Sequence, residues 1–166
     1  KLFAYVALFN LGIVLMCFSE LNDNGLLSGF VCLLVWLLAQ FGVYTVFYAF
    51  KRKGDYLTET ADLAGLAEVR PYIAAAMLIF MVSLLGTPPM LGFLGKLSAI
   101  NYLIIEGSYA FIGLILAALL LLAYAFLNVI KTIYFDARGG NTFDRADKGV
   151  YICLMVNLIL VLISIL

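Results

Sequence analysis

Five apolar stretches, 2–19, 26–50, 71–105, 108–135 and 149–166, take up most of this 166-residue chain. A helix needs roughly 20 apolar residues to cross a hydrocarbon core about 30 Å thick. Runs of this length leave few structural solutions, because backbone in lipid has to satisfy every N–H and C=O within its own structure. The chain is 66% apolar and 12% charged, whereas soluble domains run near half apolar and a quarter charged. The sequence therefore predicts an all-α membrane protein of about five transmembrane helices, forming a single helical domain over 1–166.

The third stretch is too long for one straight helix, since its length from 71 to 105 would reach about 52 Å at 1.5 Å per residue. Gly86-Thr87-Pro88-Pro89 lies near its middle, where the prolines remove backbone donors and the glycine relaxes the chain. It reads as one discontinuous crossing made of two half-helices, 71–85 and 90–105. Non-helical backbone at membrane depth persists only where protein covers it or water reaches it.

Charge placement gives an independent check on this topology. With the side of Lys1 named side A, five crossings place Lys1, Lys51, Arg52, Lys53, Arg70, Lys131, Arg138, Arg145 and Lys148 there. Side B receives Glu20, Asp23 and Glu106 and no Lys or Arg. Side A is thus the cytoplasmic or matrix face. A miscounted span would scramble this partition. In the 51–70 loop, Leu63, Leu66 and Ala67 fall on one helical face, which predicts a short interfacial helix.

Several function classes drop out. Formal net charge is zero and histidine is absent, so no basic surface argues for nucleic acid. Cys17, Cys32 and Cys153 lie far apart inside apolar runs, fitting neither a metal site nor a disulfide framework. There is no phosphate-cradling glycine loop, haem ligand pair or iron–sulfur spacing, so no cofactor is expected in this chain. The chain opens on Lys1 and runs at once into a span. That pattern suggests a processed, split or truncated piece of something larger, and tilts the expected location towards an organelle.

Lys96 is the tenth basic residue and the one to explain. It precedes Glu106, at the side B surface, by ten residues, which puts it about 15 Å deep. A lysine stem of roughly 6 Å does not reach the interface from there. A charge at that depth costs at least about 2.5–3.5 kcal/mol, and intramembrane ionisable groups are functional candidates by default. The bland alternative is a structural ion pair. Yet no span holds an internal Asp or Glu, so either the group sheds its proton when desolvated or its counter-charge belongs to another polypeptide. Lys96 also stands in the first two turns of the second half-helix, whose partly positive N-terminus works against a permanent charge. These features favour a proton relay. Broken helices that handle ions at the break recur in transporters.

Other polar groups within the spans are Asn10, Gln40, Ser83, Thr87, Ser98, Asn101, Asn128 and Asn157. They suit a water chain beside Lys96, or plain interhelical hydrogen bonding worth about 0.6 kcal/mol a pair. Gly86, Gly92 and Gly95 permit close packing or a wet cavity around the Thr87-Pro88-Pro89 break. Lys131, a turn from the end of the fourth span, either rims a path or snorkels to side A. Trp36 and the tyrosines serve packing and interfacial anchoring.

The run Thr60-Ala61-Asp62-Leu63-Ala64-Gly65-Leu66, then Arg70-Pro71, then Ser83 to Lys96 as SLLGTPPMLGFLGK, closely resembles NADH dehydrogenase subunit 2, called subunit N in bacteria. Lys1-Leu2-Phe3-Ala4-Tyr5 is similar to the opening of that family's tenth helix, and Asn128 to Asp136 to the end of its thirteenth. The resemblance covers essentially the whole chain but only the last five of the family's fourteen helices. It implies the C-terminal part of an antiporter-like, proton-translocating membrane subunit of respiratory complex I, with Lys96 as the key lysine of a discontinuous twelfth helix. It also implies that flavin, iron–sulfur clusters and quinone reside in other subunits. The family's central glutamate and two further lysines lie on earlier helices, so a separate chain carrying those helices is an expected partner, along with other complex I membrane subunits and lipid. Two departures stand out: Asn10 where the family often has histidine, and Asn128 where it often has a basic residue. Neither asparagine titrates.

Three functions compete. The first is a complex I subunit in the mitochondrial inner membrane, with the bacterial plasma membrane as the alternative. The second is a subunit of a cation/proton antiporter or membrane-bound hydrogenase. The third is a structural, non-conducting fragment. The Asp62-Leu63-Ala64-Gly65-Leu66 loop favours the first, and Lys96 at mid-depth argues against the third.

Overall fold

The computed structural model describes residues 1–20, 23–49, 51–52, 55–56, 60–88, 90–136 and 148–164. The helices follow the apolar runs: α1 Leu2–Ser19, α2 Asp23–Ala49, α4 Pro71–Leu85, α5 Leu91–Ile105, α6 Tyr109–Tyr134 and α7 Lys148–Ile163, with a four-residue α3 at Leu66–Val69. Strands β1 Lys51–Arg52 and β2 Asp55–Tyr56 form a small antiparallel ladder, which the apolar pattern does not announce. Helices α1, α2 and α6 are each long and apolar enough to cross a membrane, while α4, α5 and α7 are shorter. Pro89, Lys53 and most of the 136–148 loop, with Arg138 and Arg145, lie outside the described residues, so the charge partition there is not addressed.

Helix α2 is the hub, packing against α1, α4, α5 and α7. It begins at Asp23, three residues ahead of the apolar run, because an acidic side chain in the first turn suits the positive end of the helix dipole. Helices α1 and α2 run antiparallel. Near side A, Phe3 meets the Phe47 ring edge-on at 5.6 Å and Phe126 of α6 at 6.1 Å. Near side B, Phe18 meets Phe30 at 5.2 Å. Gly42 is needed between α2 and α4, since a Cβ there would lie 2.6 Å from the Phe80 ring. The outward faces carry large apolar side chains such as Leu8, Leu15, Leu120 and Leu121, as lipid-facing helices do.

Where an interfacial helix is expected, the chain makes a 3₁₀ turn over Thr60–Leu63 and then α3. Both elements pack on α6, and α3 packs on α4 as well. Leu63 and Leu66 are fully buried, so this segment wedges into the side A end of the bundle instead of lying in the lipid interface. Gly65, with φ +72°, makes the turn between the two pieces in a conformation glycine adopts without penalty.

The described part of α7 covers about 24 Å at 1.5 Å per residue, less than a full hydrocarbon core. The carbonyl of Ser164 just beyond it accepts a hydrogen bond from the Leu91 N–H at 3.1 Å. The last helix therefore reaches, in its described residues, from side A to the break between α4 and α5.

Candidate functional site

The break falls at the sequence Gly86-Thr87-Pro88-Pro89. Helix α4 ends on Gly86, at φ +67° and ψ +51°, with its N–H turned back to Ser83 and Val82. In a continuing helix the carbonyls of Leu84 and Leu85 would accept from the residues four places on, which are Pro88 and Pro89. Proline has no N–H. The double proline thus frees two adjacent carbonyls at the negative end of the α4 dipole, deep in the bundle.

Lys96 fills that place. Its ammonium donates to the Leu84 oxygen at 2.9 Å and to the Leu85 oxygen at 2.8 Å, and the residue is only 4% exposed. Nζ also sits 5.6 Å from the centre of the Phe9 ring, within range of a cation–π attraction. Among the described residues no carboxylate pairs with it. Within this chain the ammonium is held by the carbonyl end of the first half-helix, whose partial negative charge favours a cation. The side chain reaches it because Cα–Cβ bonds tilt towards a helix N-terminus, so the stem runs back from α5 to the break. The ammonium thus meets the negative end of α4, where the sequence suggests only the positive end of α5.

Depth follows from the neighbours. The Gly95 carbonyl accepts from the Cys17 thiol at 3.3 Å, placing the Lys96 backbone level with the last turn of α1. Phe9, near the middle of α1, marks the ammonium. The charged group therefore sits close to the bilayer centre although its backbone lies nearer side B.

Magnitudes show what this seat does. Hydrogen bonds to a charged group contribute about 1.5–3 kcal/mol each, and two of them roughly offset the cost of at least about 2.5–3.5 kcal/mol for a lysine at a helix centre. The seat thus makes a buried lysine tolerable without a carboxylate beside it.

The other residues singled out in the sequence divide. A Cβ on Gly95 would lie 2.7 Å from Cys32 Cβ, so space requires glycine there, while Gly86 is required by its φ of +67°, with an added Cβ meeting the Lys96 stem tightly at 3.0 Å. Gly92 is not so required, since an added Cβ would make ordinary contacts at 3.4 and 3.6 Å. Thr87 Oγ1 donates to the Val82 carbonyl at 3.5 Å, tying the break to α4. Pro88 is exposed, and the side chain of Pro89 is outside the described residues. Asn101 faces outward from α5, and Lys131 and Asn128 are exposed on α6, so the structure does not bring them to Lys96. Asn10 is buried with Nδ2 bonded to Val6 of its own helix at 3.0 Å. Sequence reasoning passed over the Leu84 and Leu85 carbonyls and Phe9. The two prolines four residues beyond the leucines were the available signal for the first pair.

Comparisons with known proteins give relatives of the chain and of its fold. The profile of the family described as NADH:quinone oxidoreductase/Mrp antiporter, TM matches residues 1–130. NADH-quinone oxidoreductase subunit N of Nitrosomonas europaea is 32% identical over 138 residues, covering 82% of this chain and 28% of the relative. Subunit N of Methylovorus glucosotrophus is 30% identical over 165 residues, covering 98% of this chain and 34% of the relative. The chain therefore spans about a third of the length of these relatives. Among solved structures, a chain of respiratory complex I from Thermus thermophilus with bound aureothin has the same fold. It aligns at a TM-score of 0.70 and 22% identity, over 98% of this chain and 42% of that one.

Proposed function

Because the chain belongs to the NADH:quinone oxidoreductase/Mrp antiporter membrane family, we propose that it is the C-terminal, antiporter-like part of a subunit N in an energy-converting NADH:quinone oxidoreductase and relays protons at Lys96. The observation that carries this reading is the buried ammonium bound to the two carbonyls that Pro88 and Pro89 leave open. A buried lysine with no carboxylate beside it among the described residues suits a group that moves protons better than one that holds helices together by an ion pair.

In this reading no redox step occurs in the chain; flavin, iron–sulfur clusters and quinone belong to other subunits of the complex. The partners are the other membrane-arm subunits, including a chain that carries the helices the longer relatives possess. The multi-pass chain lies in an energy-coupling membrane with side A towards the cytoplasm or matrix. The relatives named above are bacterial, which supports a plasma membrane; a mitochondrial inner membrane is supported by the resemblance of the residues alone.

Purification of the tagged chain from its own membranes in mild detergent tests the assignment. Flavin and iron–sulfur proteins should co-elute with it, and the eluate should reduce quinone with NADH. An eluate free of both, from membranes whose sodium/proton exchange depends on the chain, would favour the antiporter alternative.

A further inference from the structure

The break in the third crossing leaves backbone groups open on both of its sides. On the α4 side, the Leu84 and Leu85 carbonyls are taken by Lys96. On the α5 side, the first N–H groups of the helix have no partner within it, and a side-chain oxygen at the preceding residue ordinarily accepts one of them. Here that residue is Met90, which offers no such oxygen. The Leu91 N–H instead donates to the Ser164 carbonyl at 3.1 Å. Among the described residues, this is the one backbone hydrogen bond outside the helices and the strand pair that joins distant parts of the chain; the others close local turns.

Ser164 is a firm anchor. Its own N–H donates to the Leu160 and Val161 carbonyls at 3.3 and 3.1 Å, and its Oγ donates to the Val161 carbonyl at 2.6 Å. Ser164 and Val161 are both buried, and α7 packs along α2 and α4. The two helix ends also suit each other electrically, because the carbonyl end of α7 is partly negative and the amide end of α5 partly positive. Helix N–H groups point along the axis towards the N-terminus. This bond therefore holds α5 lengthwise, whereas packing on α1, α2 and α6 holds it from the sides.

Lys96 stands five residues after Leu91 on the same helix, so any movement of α5 along its axis moves the root of the lysine with it. There is little slack. Nζ reaches its two carbonyls at 2.9 and 2.8 Å, and the stem passes so close to Gly86 that an added Cβ would lie 3.0 Å from it. We propose that Leu91 and Ser164 are positioning residues for Lys96. By pinning the first N–H of α5, the end of α7 sets the gap between the half-helices at which the ammonium reaches both the Leu84 and the Leu85 oxygens. Helix α7 then acts as a strut from side A to the break. This inference rests on the reading of Lys96 as a relay for its functional meaning, but the position of the ammonium is measurable by itself.

The test uses the intact complex with isotopically labelled lysine amines and leucine carbonyls. Solid-state NMR reads the through-space peak between Lys96 Nζ and the Leu84 and Leu85 carbonyl carbons, identified by its absence from Lys96→Met. Leu91→Pro deletes the N–H with little strain, since proline suits the first helical position. Met90, at φ −70° and ψ 140°, already has the conformation that a following proline demands. Leu91→Ala removes the side chain and keeps the N–H. The peak should weaken about two- to tenfold in Leu91→Pro, the range that loss of one hydrogen bond supplies, and persist in Leu91→Ala. Ser164→Gly loosens the carbonyl from the other side by removing the Oγ bond; it should give a smaller loss of the same peak, and it decides the matter if Leu91→Pro does not assemble. An undiminished peak in Leu91→Pro, or in Ser164→Gly where only that variant assembles, would overturn the proposal, as would an equal loss in Leu91→Ala. Proton uptake measured alongside keeps the two readings apart: a weakened peak with normal uptake upholds the positioning contact and counts against Lys96 as the relay.

Discussion

Lys96→Met should leave the complex assembled while proton translocation falls below a tenth of normal. Methionine keeps much of the volume and removes the titrating group, so whatever passes through the lysine stops. Its structural cost is bounded. Two carbonyls lose their donor, at about 1–3 kcal/mol for each left unsatisfied, which lowers the yield of assembled complex without abolishing it. Lys96→Arg separates the roles further. A guanidinium still donates to the Leu84 and Leu85 carbonyls but does not release its proton near neutral pH, so assembly should be near normal and translocation lost. A purely structural cation predicts the opposite ranking, with the arginine variant pumping normally and the methionine variant failing to assemble. Native gels run beside proton uptake by sealed vesicles distinguish these outcomes.

Gly86→Ala is expected to have the second largest effect, because two independent requirements meet at that residue. Its φ of +67° is a left-handed conformation that costs a side-chain-bearing residue about 1–2 kcal/mol. The new Cβ would also stand 3.0 Å from Lys96 Nζ and Cδ, pushing the ammonium off its carbonyl seat. Assembled complex should lose heat stability by an amount consistent with about 2 kcal/mol, and translocation should drop severalfold. Gly92→Ala is the matched control: its Cβ would meet Val35 and Ser83 at ordinary distances, and both properties should stay close to normal. If thermal inactivation and proton uptake of the two variants prove alike, the seat described for Lys96 is wrong.

Much of this architecture is written in local sequence. The spans follow apolar run length, and α1 and α6 fall within a residue of the expected bounds. The break follows from Gly86 and the prolines, whereas the distance to Glu106 overstates the depth of the Lys96 backbone, which lies level with the last turn of α1; the stem running back to the break carries the ammonium deeper. What escaped the sequence is mostly tertiary. Asn101 and Lys131 point away from the lysine because helix rotation is set by packing against neighbours, which apolar periodicity in an almost wholly apolar helix does not reveal. Leu63 and Leu66 read as a lipid-facing stripe and are instead buried, because both aqueous-interface and protein-interface helices show one apolar face. The carbonyl partners of Lys96 are legible in hindsight, because the residues four places after Leu84 and Leu85 are both proline and leave two carbonyls without donors. The direction of the lysine stem, back towards the N-terminus of α5, completes that inference from elementary helix geometry.

The central claim is that Lys96 alternates between ammonium and amine as the complex works. Infrared difference spectroscopy on the complex containing isotopically labelled lysine reads that change directly, with NADH and quinone turnover as the trigger. The account predicts a lysine ammonium band that changes with turnover in the native complex and is missing from the difference spectrum of Lys96→Met. The same lysine signal in both, or none in a native complex that is pumping, would contradict it.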